Sequence, residues 1–149
     1  NQPVEIEVTG ADGRTGVYRL TLSVPSPAAA LEQVQASGKY GIGDALDFIV
    51  AYDYPVDVDS SDTPELPIEM DGSTGKAASY IGIYGGDPKK LQFRYTVQSG
   101  DKDINGIGIG DALAASSPSA VTIIGNPVSL NLATPLPDTG GVLIDGVNP

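Results

Sequence analysis

Apolar and polar residues alternate along most of the chain with a period of two, which is the pattern of half-buried β-strands. The clearest example is segment 91–97, where Leu, Phe, Tyr and Val alternate with Gln, Arg and Thr. Similar alternation predicts further strands at 4–8, 18–24, 46–52, 66–70 and 77–83, and shorter ones near 55–58, 121–124, 128–132 and 142–144. Turn residues separate these strands about every 8–12 residues, so the pattern predicts an all-β sandwich.

The apolar side of each alternation predicts the core of this sandwich. On the strand at 77–83 we expect the face that carries Ile81 and Ile83 to point inwards. Pro67 predicts that the strand at 66–70 lies at a sheet edge, because proline has no N–H to donate. The predicted core residues are Leu46, Phe48, Val50, Leu66, Ile68, Ile81, Leu91, Phe93, Tyr95 and Val97.

The pattern divides the chain into three parts. We expect residues 1–24 to form an N-terminal β-hairpin with Asp12-Gly13 in its turn, residues 25–30 to be a linker, and residues 31–149 to form the sandwich. Around residue 30 two alternatives stay open. Ser26 and Pro27 favour the start of a short helix, whereas residues 31–36 are equally compatible with a first strand.

Composition narrows the range of functions. The 149 residues suffice for one domain, and the formal charge of −11 argues against nucleic acid and anionic membrane surfaces as partners. The chain has no Cys and no His, which excludes thiolate and imidazole metal ligands, a cysteine nucleophile and a histidine general base. We therefore expect a protein that is not an enzyme. Because the chain has neither an initiating Met nor a signal peptide, we interpret it as a piece of something longer.

Several segments resemble a known module. Residues 40–48 read Y-G-I-G-D-A-L-D-F and are followed by V-D-V at 56–58. Residues 91–107 read L-Q-F-R-Y-T-V-Q-S-G-D-K-D-I-N-G-I, and 125–132 read G-N-P-V-S-L-N-L. In this order the segments resemble the bacterial Ig-like tandem repeat of large surface and adhesin-type proteins. Residues 4–24 are similar to the closing hairpin of a cadherin-like bacterial β-sandwich module.

The resemblance implies an Ig-like antiparallel sandwich with Greek-key connections and an additional N-terminal hairpin. It also implies a non-catalytic spacer in a bacterial cell-surface or secreted adhesin-like protein, with neighbouring modules of the same parent chain as partners. Calcium is commonly bound at the junctions of such repeats. The alternative is a carbohydrate-binding or accessory module of a secreted glycoside hydrolase, with a carbohydrate or a surface protein as its partner. The absence of Trp counts against this alternative.

One loop has the spacing of a calcium site. Residues 101–106 fit D-x-[DN]-x-[DN]-G, in which alternate oxygen ligands surround one hard cation. We name Asp101, Asp103 and Asn105 as side-chain ligands, and the carbonyl of Ile107 as a further one. The loop is not an EF-hand, because Ala112 stands where the bidentate Glu is needed. A plain hairpin turn held by Asp and Asn side chains is the other interpretation.

Two further groups of residues are candidates for binding. The acidic segment 53–65 places Asp57 and Asp59 on one strand face, where they could bridge a cation or form a solvated edge that discourages aggregation. Tyrosines could form a platform for sugar rings or pack into the core. The tyrosines concerned are Tyr40, Tyr52, Tyr54, Tyr80, Tyr84 and Tyr95.

Overall fold

The structure confirms the all-β class. The computed structural model describes the backbone of residues 3–9 and 15–21, and all of residues 29–71 and 73–146. Within these ranges the only helical segment is a 3₁₀ turn at Pro118–Ala120. The helix considered near residue 30 is wrong, because Ala30–Gln33 is a strand. The tertiary pairing of this segment outweighs the weak local preference of its alanines for a helix.

Fourteen strands occupy the described residues. In chain order they are β1 (Pro3–Thr9), β2 (Thr15–Thr21), β3 (Ala30–Gln33), β4 (Gly38–Gly41), β5 (Ala45–Ala51), β6 (Asp57–Val58), β7 (Glu65–Met70), β8 (Ser73–Tyr84), β9 (Asp87–Thr96), β10 (Lys102–Asp103), β11 (Gly108–Ile109), β12 (Val121–Ile123), β13 (Asn126–Pro127) and β14 (Val142–Asp145).

The largest sheet has six strands in the order β11-β7-β8-β9-β5-β3, and each neighbouring pair is antiparallel. In the pairing of β5 with β9, Phe48 lies opposite Phe93. Both rings are fully buried. Aromatic side chains remove the most apolar area from water, so this cross-strand pair is a principal source of stability.

Two three-stranded sheets complete the sandwich-like fold, with the orders β10-β14-β4 and β13-β12-β6. The pairing of β14 with β4 is parallel, and it runs from Val142 opposite Gly38 to Asp145 opposite Gly41. Buried residues of all these sheets belong to one continuous core. Val142 and Ile144 enter it from β14, and each is about 1% exposed. The Greek-key connectivity stays a prediction.

Nine of the ten predicted core residues are buried, and Ile81 is not. On β8 the side chains directed inwards are Ala78 and Tyr80, whereas Ile81 is 48% exposed and Ile83 is 45% exposed. The pairing of β8 with β9 shifts register between Tyr80 and Gly82. β7 begins at Glu65, opposite Ser79, so residues 81–84 extend beyond it. The prediction for Ile81 is therefore wrong, because the isoleucines of this strand lie on its outer face.

The prediction of an edge position for β7 is also wrong. β11 pairs with β7 on the side away from β8, with Ile109 opposite Ile68. Pro67 takes part through its carbonyl, which accepts a hydrogen bond of 3.0 Å from the Gly110 amide. The missing N–H is tolerated because β11 is only two residues long and the pairing stops beside the proline.

The boundaries differ slightly from the predicted ones. Ala30 belongs to β3 and Ala29 bridges to Leu132, so the last two residues of the predicted linker are part of the sandwich. The predicted strand at 128–132 is reduced to isolated bridges at Asn131 and Leu132, and β13 lies just before it, at Asn126–Pro127. β1 and β2 pair antiparallel from Pro3 opposite Thr21 to Thr9 opposite Thr15. The predicted turn at Asp12-Gly13 lies outside the described residues.

The registers define two ends of the sandwich. At the proximal end, Ala30 of β3 lies opposite Ala51, the last residue of β5. At the distal end, Asp145 of β14 lies opposite Gly41, just before β5 begins at Ala45. The chain therefore enters the sandwich at the proximal end, near Ala29, and reaches Gly146 at the distal end.

Candidate functional site

The turn that follows β9 contains Asp101, the first predicted calcium ligand. The Asp101 side chain is about 1% exposed. Its Oδ2 accepts a hydrogen bond of 2.8 Å from the Gln98 amide, and the Asp101 amide donates back to the Gln98 carbonyl over 3.2 Å. Gly100 lies between them with φ of +94°, a conformation that few other residues adopt. Asp101, the first residue of the D-x-D pattern, therefore lies in a tight turn that is closed by its own hydrogen bonds.

Three more donors surround the same carboxylate. The Tyr95 hydroxyl donates to Oδ2, the Ser73 hydroxyl donates to Oδ1 over 3.1 Å, and the Lys76 ammonium lies 3.2 Å from Oδ1. Buried carboxylates need such partners, because an unpaired charge is costly in a medium of low dielectric constant. The side chain of Asp101 is thus satisfied by protein donors, and the Lys76 ammonium supplies the positive charge.

The electrostatics of this group are consistent with an ionised carboxylate. Burial acts to raise the pKa of Asp101, but the hydrogen bonds from Tyr95, Gln98, Lys76 and Ser73 outweigh it and hold that pKa below its ordinary value. Burial, together with the hydrogen bond and charge of Asp101, raises the pKa of Tyr95. Both groups therefore keep fixed protonation states near neutral pH.

The backbone of this turn holds Gly146 at the distal end of the sandwich. The Gly146 amide donates to the Asp101 carbonyl over 2.7 Å, and the Gly100 amide donates to the Gly146 carbonyl over 2.9 Å. A Cβ atom on Gly146 would lie 2.3 Å from the Gln98 carbonyl oxygen, so the approach requires glycine. The Asp101 turn therefore fastens the last described residue of the chain to the body of the domain.

Two of the other predicted calcium ligands, the Asp103 carboxylate and the Ile107 carbonyl, also accept hydrogen bonds from protein groups. The Asp103 carboxylate is buried and accepts from the amides of Asp71, over 3.1 Å, and Asn105, over 3.2 Å. Asn105 is exposed, and the Ile107 carbonyl accepts from the Thr139 hydroxyl. The bond from the Asn105 amide to Asp103 is the side-chain turn expected for a plain hairpin. These contacts give the D-x-D-x-N-G loop a structural role, and calcium binding there stays a prediction.

Sequence reasoning missed two acidic neighbours of this loop. An open cleft of about 390 Å³ has Glu69, Asp71, Asp103 and Asn105 in its lining. Glu69 arrives there because β7 pairs with β11, which places it opposite Gly108. No local sequence pattern predicts this long-range strand pairing. In the described part of the chain, no three acidic side chains converge as a metal site requires, so these carboxylates line the cleft without forming a cluster.

The acidic segment 53–65 forms local turns. The Asp59 carboxylate accepts from the amide and the hydroxyl of Ser61, over 2.8 and 2.7 Å, and these bonds lower its pKa. Asp62 accepts from the Ser116 amide over 2.9 Å. Asp53 and Asp57 are exposed. Exposed carboxylates are compatible with a solvated acidic edge, and cation binding by Asp57 and Asp59 stays a prediction.

The tyrosines divide between core and surface. Tyr52 and Tyr95 are buried, and Tyr40 and Tyr80 are partly buried against the core. Only Tyr54 and Tyr84 are exposed among the six candidates, which all lie in the described residues. Both are close to the proximal end, because Val56 bonds to Pro88 and Tyr84 pairs with Asp87. Two exposed rings do not amount to the row that would favour a sugar platform.

Comparison with known proteins does not assign the chain to a family. No family model, curated protein or solved structure matches the chain. None of the helical segments among the described residues is long and apolar enough to cross a bilayer.

Proposed function

We propose that the chain is a non-catalytic spacer module of a bacterial cell-surface or secreted adhesin-like protein. One observation supports this proposal above the others: the chain enters and leaves the sandwich at opposite ends. β3 begins opposite the last residue of β5, and β14 ends beside the turn that precedes β5. A domain of this kind adds length when it is joined in series, whereas one with adjacent ends does not.

The length that each module adds follows from the strand geometry. β5 alone spans roughly 20 Å between the two ends. The path from Ala30 to Gly41 covers eleven residue steps and cannot exceed about 40 Å. Each copy in a series would therefore contribute on the order of 20–40 Å, plus whatever the connecting segment adds.

The charge of the chain supports the same role. With a net charge of −11, neighbouring modules repel one another within a Debye length of about 8–10 Å, which favours an extended array. The proposed partners are neighbouring modules of the same parent chain, and the proposed location is the bacterial cell surface. If calcium stabilises the array, the junctions between modules are the place for it, because Asp101 is paired with Lys76 and the carboxylates of the cleft beside Asp103 form no cluster among the described residues.

A tandem protein tests the spacer proposal. Two copies of the full chain joined in series should be longer than one copy by roughly 20 Å or more in small-angle X-ray scattering. The same increase should persist near 1 M salt, where the Debye length is about 3 Å, because it derives from topology and not from repulsion. Copies that fold side by side, with little gain in maximum dimension, would contradict the proposal. The parent reading frame gives an independent test, since a spacer should occur in many similar copies.

The alternative role as a carbohydrate-binding or accessory module rests on Tyr54 and Tyr84, which are both exposed near the proximal end. Glycan binding that is lost in Tyr54→Ala and in Tyr84→Ala, and retained in Tyr52→Phe, would favour this role over the spacer.

A further inference from the structure

The parallel pairing of β4 with β14 determines how the domain responds to tension. We propose that this pairing is a mechanical clamp, which resists force applied along the chain between the proximal and distal ends. This resistance is a property of the fold and does not depend on the spacer role. A domain without any array partner would show the same resistance.

The direction of load follows from the registers. Tension on Gly146 draws β14 outwards at the distal end, and tension on Ala29 draws β3 and β4 the opposite way. β4 and β14 run parallel, with Val142 opposite Gly38 and Asp145 opposite Gly41. The two strands are therefore pulled past each other along their common axis. All their hydrogen bonds share the load at once, whereas bonds between strands pulled apart from one end break one after another.

β14 is held on its other side as well. Lys102 and Asp103 of β10 pair with Asp145 and Ile144, so β14 lies between two strands. The backbone bonds between Gly146 and the Asp101 turn lie at the loaded end. Val142 and Ile144 are buried in the core, and sliding β14 outwards would drag both side chains from it. The same motion that shears the ladder thus also exposes apolar surface.

An ion pair crosses the clamp along the direction of load. The Lys39 ammonium lies 2.9 Å from the Asp145 carboxylate. Lys39 is opposite Leu143, so Asp145 is displaced from it by two residues towards the distal end. Outward motion of β14 lengthens this contact. Because both side chains are substantially exposed, the pair is a minor contribution beside the ladder and the core.

Hydrogen bonds hold the segment between β3 and β4 to the strands around it. Gln35 donates to the Tyr40 hydroxyl over 3.0 Å, and that hydroxyl donates to the Ala36 carbonyl over 2.6 Å. The Gln35 side-chain oxygen also accepts from the Asp47 amide of β5 over 2.8 Å. Tension that reaches the segment 34–37 is therefore passed to β5 and β4 together.

Single-molecule force spectroscopy tests the direction of loading. The full chain contains no Cys, so one introduced cysteine is a unique attachment point. Pulling between the two termini should shear β4 against β14. Pulling between Ile42→Cys and the C-terminus should unzip them, because Ile42 follows β4 at the distal end and is 48% exposed. We expect the unzipping force to be about half the shearing force or less at the same loading rate. Equal forces in the two directions would overturn the clamp.

Two matched substitutions test where the resistance resides. Ile144→Val trims a buried side chain of β14, and Ile68→Val makes the same change on β7, away from the load path. Both should lower thermal stability to a similar degree. Under terminal tension Ile144→Val should unfold about two- to tenfold faster than the parent chain, and Ile68→Val should unfold at the parent rate. Equal acceleration by the two variants, or an unchanged rate for Ile144→Val, would place the barrier elsewhere and refute the proposal.

Discussion

Replacing Asp101 with alanine tests whether this residue supports the fold or binds calcium. In the structure its carboxylate accepts from the Tyr95 hydroxyl and the Gln98 amide on one oxygen, and from Ser73 and Lys76 on the other. Ser73 is partly exposed and the Lys76 side chain is 24% exposed, so both can turn to water when the carboxylate is removed. The Gln98 residue is exposed as well, whereas the Tyr95 side chain is 5% exposed and cannot turn to water as readily.

The magnitude follows from the Tyr95 hydroxyl, which is the buried donor left without a partner. A buried donor without a partner costs about 1–3 kcal/mol, so Asp101→Ala should lower the free energy of unfolding by about that amount. The total stability of a domain is about 5–15 kcal/mol. At about 2–4 °C per kcal/mol for a chain of this size, the melting temperature should fall by roughly 2–12 °C. Asp101→Asn retains one acceptor oxygen, so its loss of unfolding free energy should be about half that of Asp101→Ala.

The assay is thermal unfolding followed by circular dichroism, once in EDTA and once in about 10 mM calcium. We expect Asp101→Ala to lose the same stability in both, because its partners are protein groups. Asp53→Ala is the matched control, since Asp53 is exposed and should change stability by no more than about 0.5 kcal/mol. A calcium site with a dissociation constant of about 0.1–1 mM would stabilise the parent chain by roughly 1.4–2.7 kcal/mol. If Asp101→Ala matched the parent in EDTA and lost only this calcium-dependent gain, Asp101 would be a ligand and our reasoning would be refuted.

The pH dependence offers a second readout of the same group. Folding lowers the pKa of Asp101 from 3.8, so the folded protein binds fewer protons than the unfolded chain in the acid range. Its stabilising contribution is therefore complete above about pH 4 and is lost as the pH falls through the folded pKa. Asp101→Asn should show a shallower loss of stability below pH 4 than the parent chain.

The remaining predictions concern the core, a close backbone contact and a buried tyrosine. Phe93→Asp should abolish folding or lower the free energy of unfolding by more than about 3 kcal/mol, whereas Ile81→Asp should leave it nearly unchanged. Equal melting temperatures for the two variants would contradict the assigned face of β8. Gly106→Ala should lower the free energy of unfolding by more than about 1 kcal/mol, because φ at Gly106 is +101° and the new Cβ would lie 2.3 Å from the Gly140 Cα. An unchanged melting temperature would contradict this contact. Burial raises the pKa of Tyr52 from 10.0 to about 12, so its contribution to stability is complete below pH 10 and is lost as the pH rises towards 12. Tyr52→Phe should remove that alkaline component from the unfolding free energy, and a parent-like alkaline slope would show that Tyr52 does not carry it.

Much of the strand content was predictable because burial on one face imposes a period of two on the sequence. Leu91, Phe93, Tyr95 and Val97 show this pattern without interruption, and all four are buried. The short strands β4, β10 and β11 were not predicted, since two to four residues are too few to show a period. They form because the strands beside them offer unpaired backbone groups.

The candidate site illustrates the limit of local reasoning. The spacing of Asp101, Asp103 and Asn105 is compatible with a metal loop and with a hairpin turn, and nothing within the loop distinguishes them. The partners of Asp101 come partly from Ser73 and Lys76 on β8, far away in sequence. A buried carboxylate takes whatever donors the folded chain brings to it, so its role depends on the pairing of distant strands.

The sequence by itself determined the all-β class, most of the core and the acidic, turn-rich character of the chain, because alternation and composition are local properties. Only the tertiary structure decided that Ile81 faces water, that β7 is covered by β11, and that Ala30 and Asp145 lie at opposite ends. The physical reason is that strand order and register are selected by satisfying backbone hydrogen bonds and filling one core simultaneously. These requirements act on the whole chain at once, and no single segment contains them.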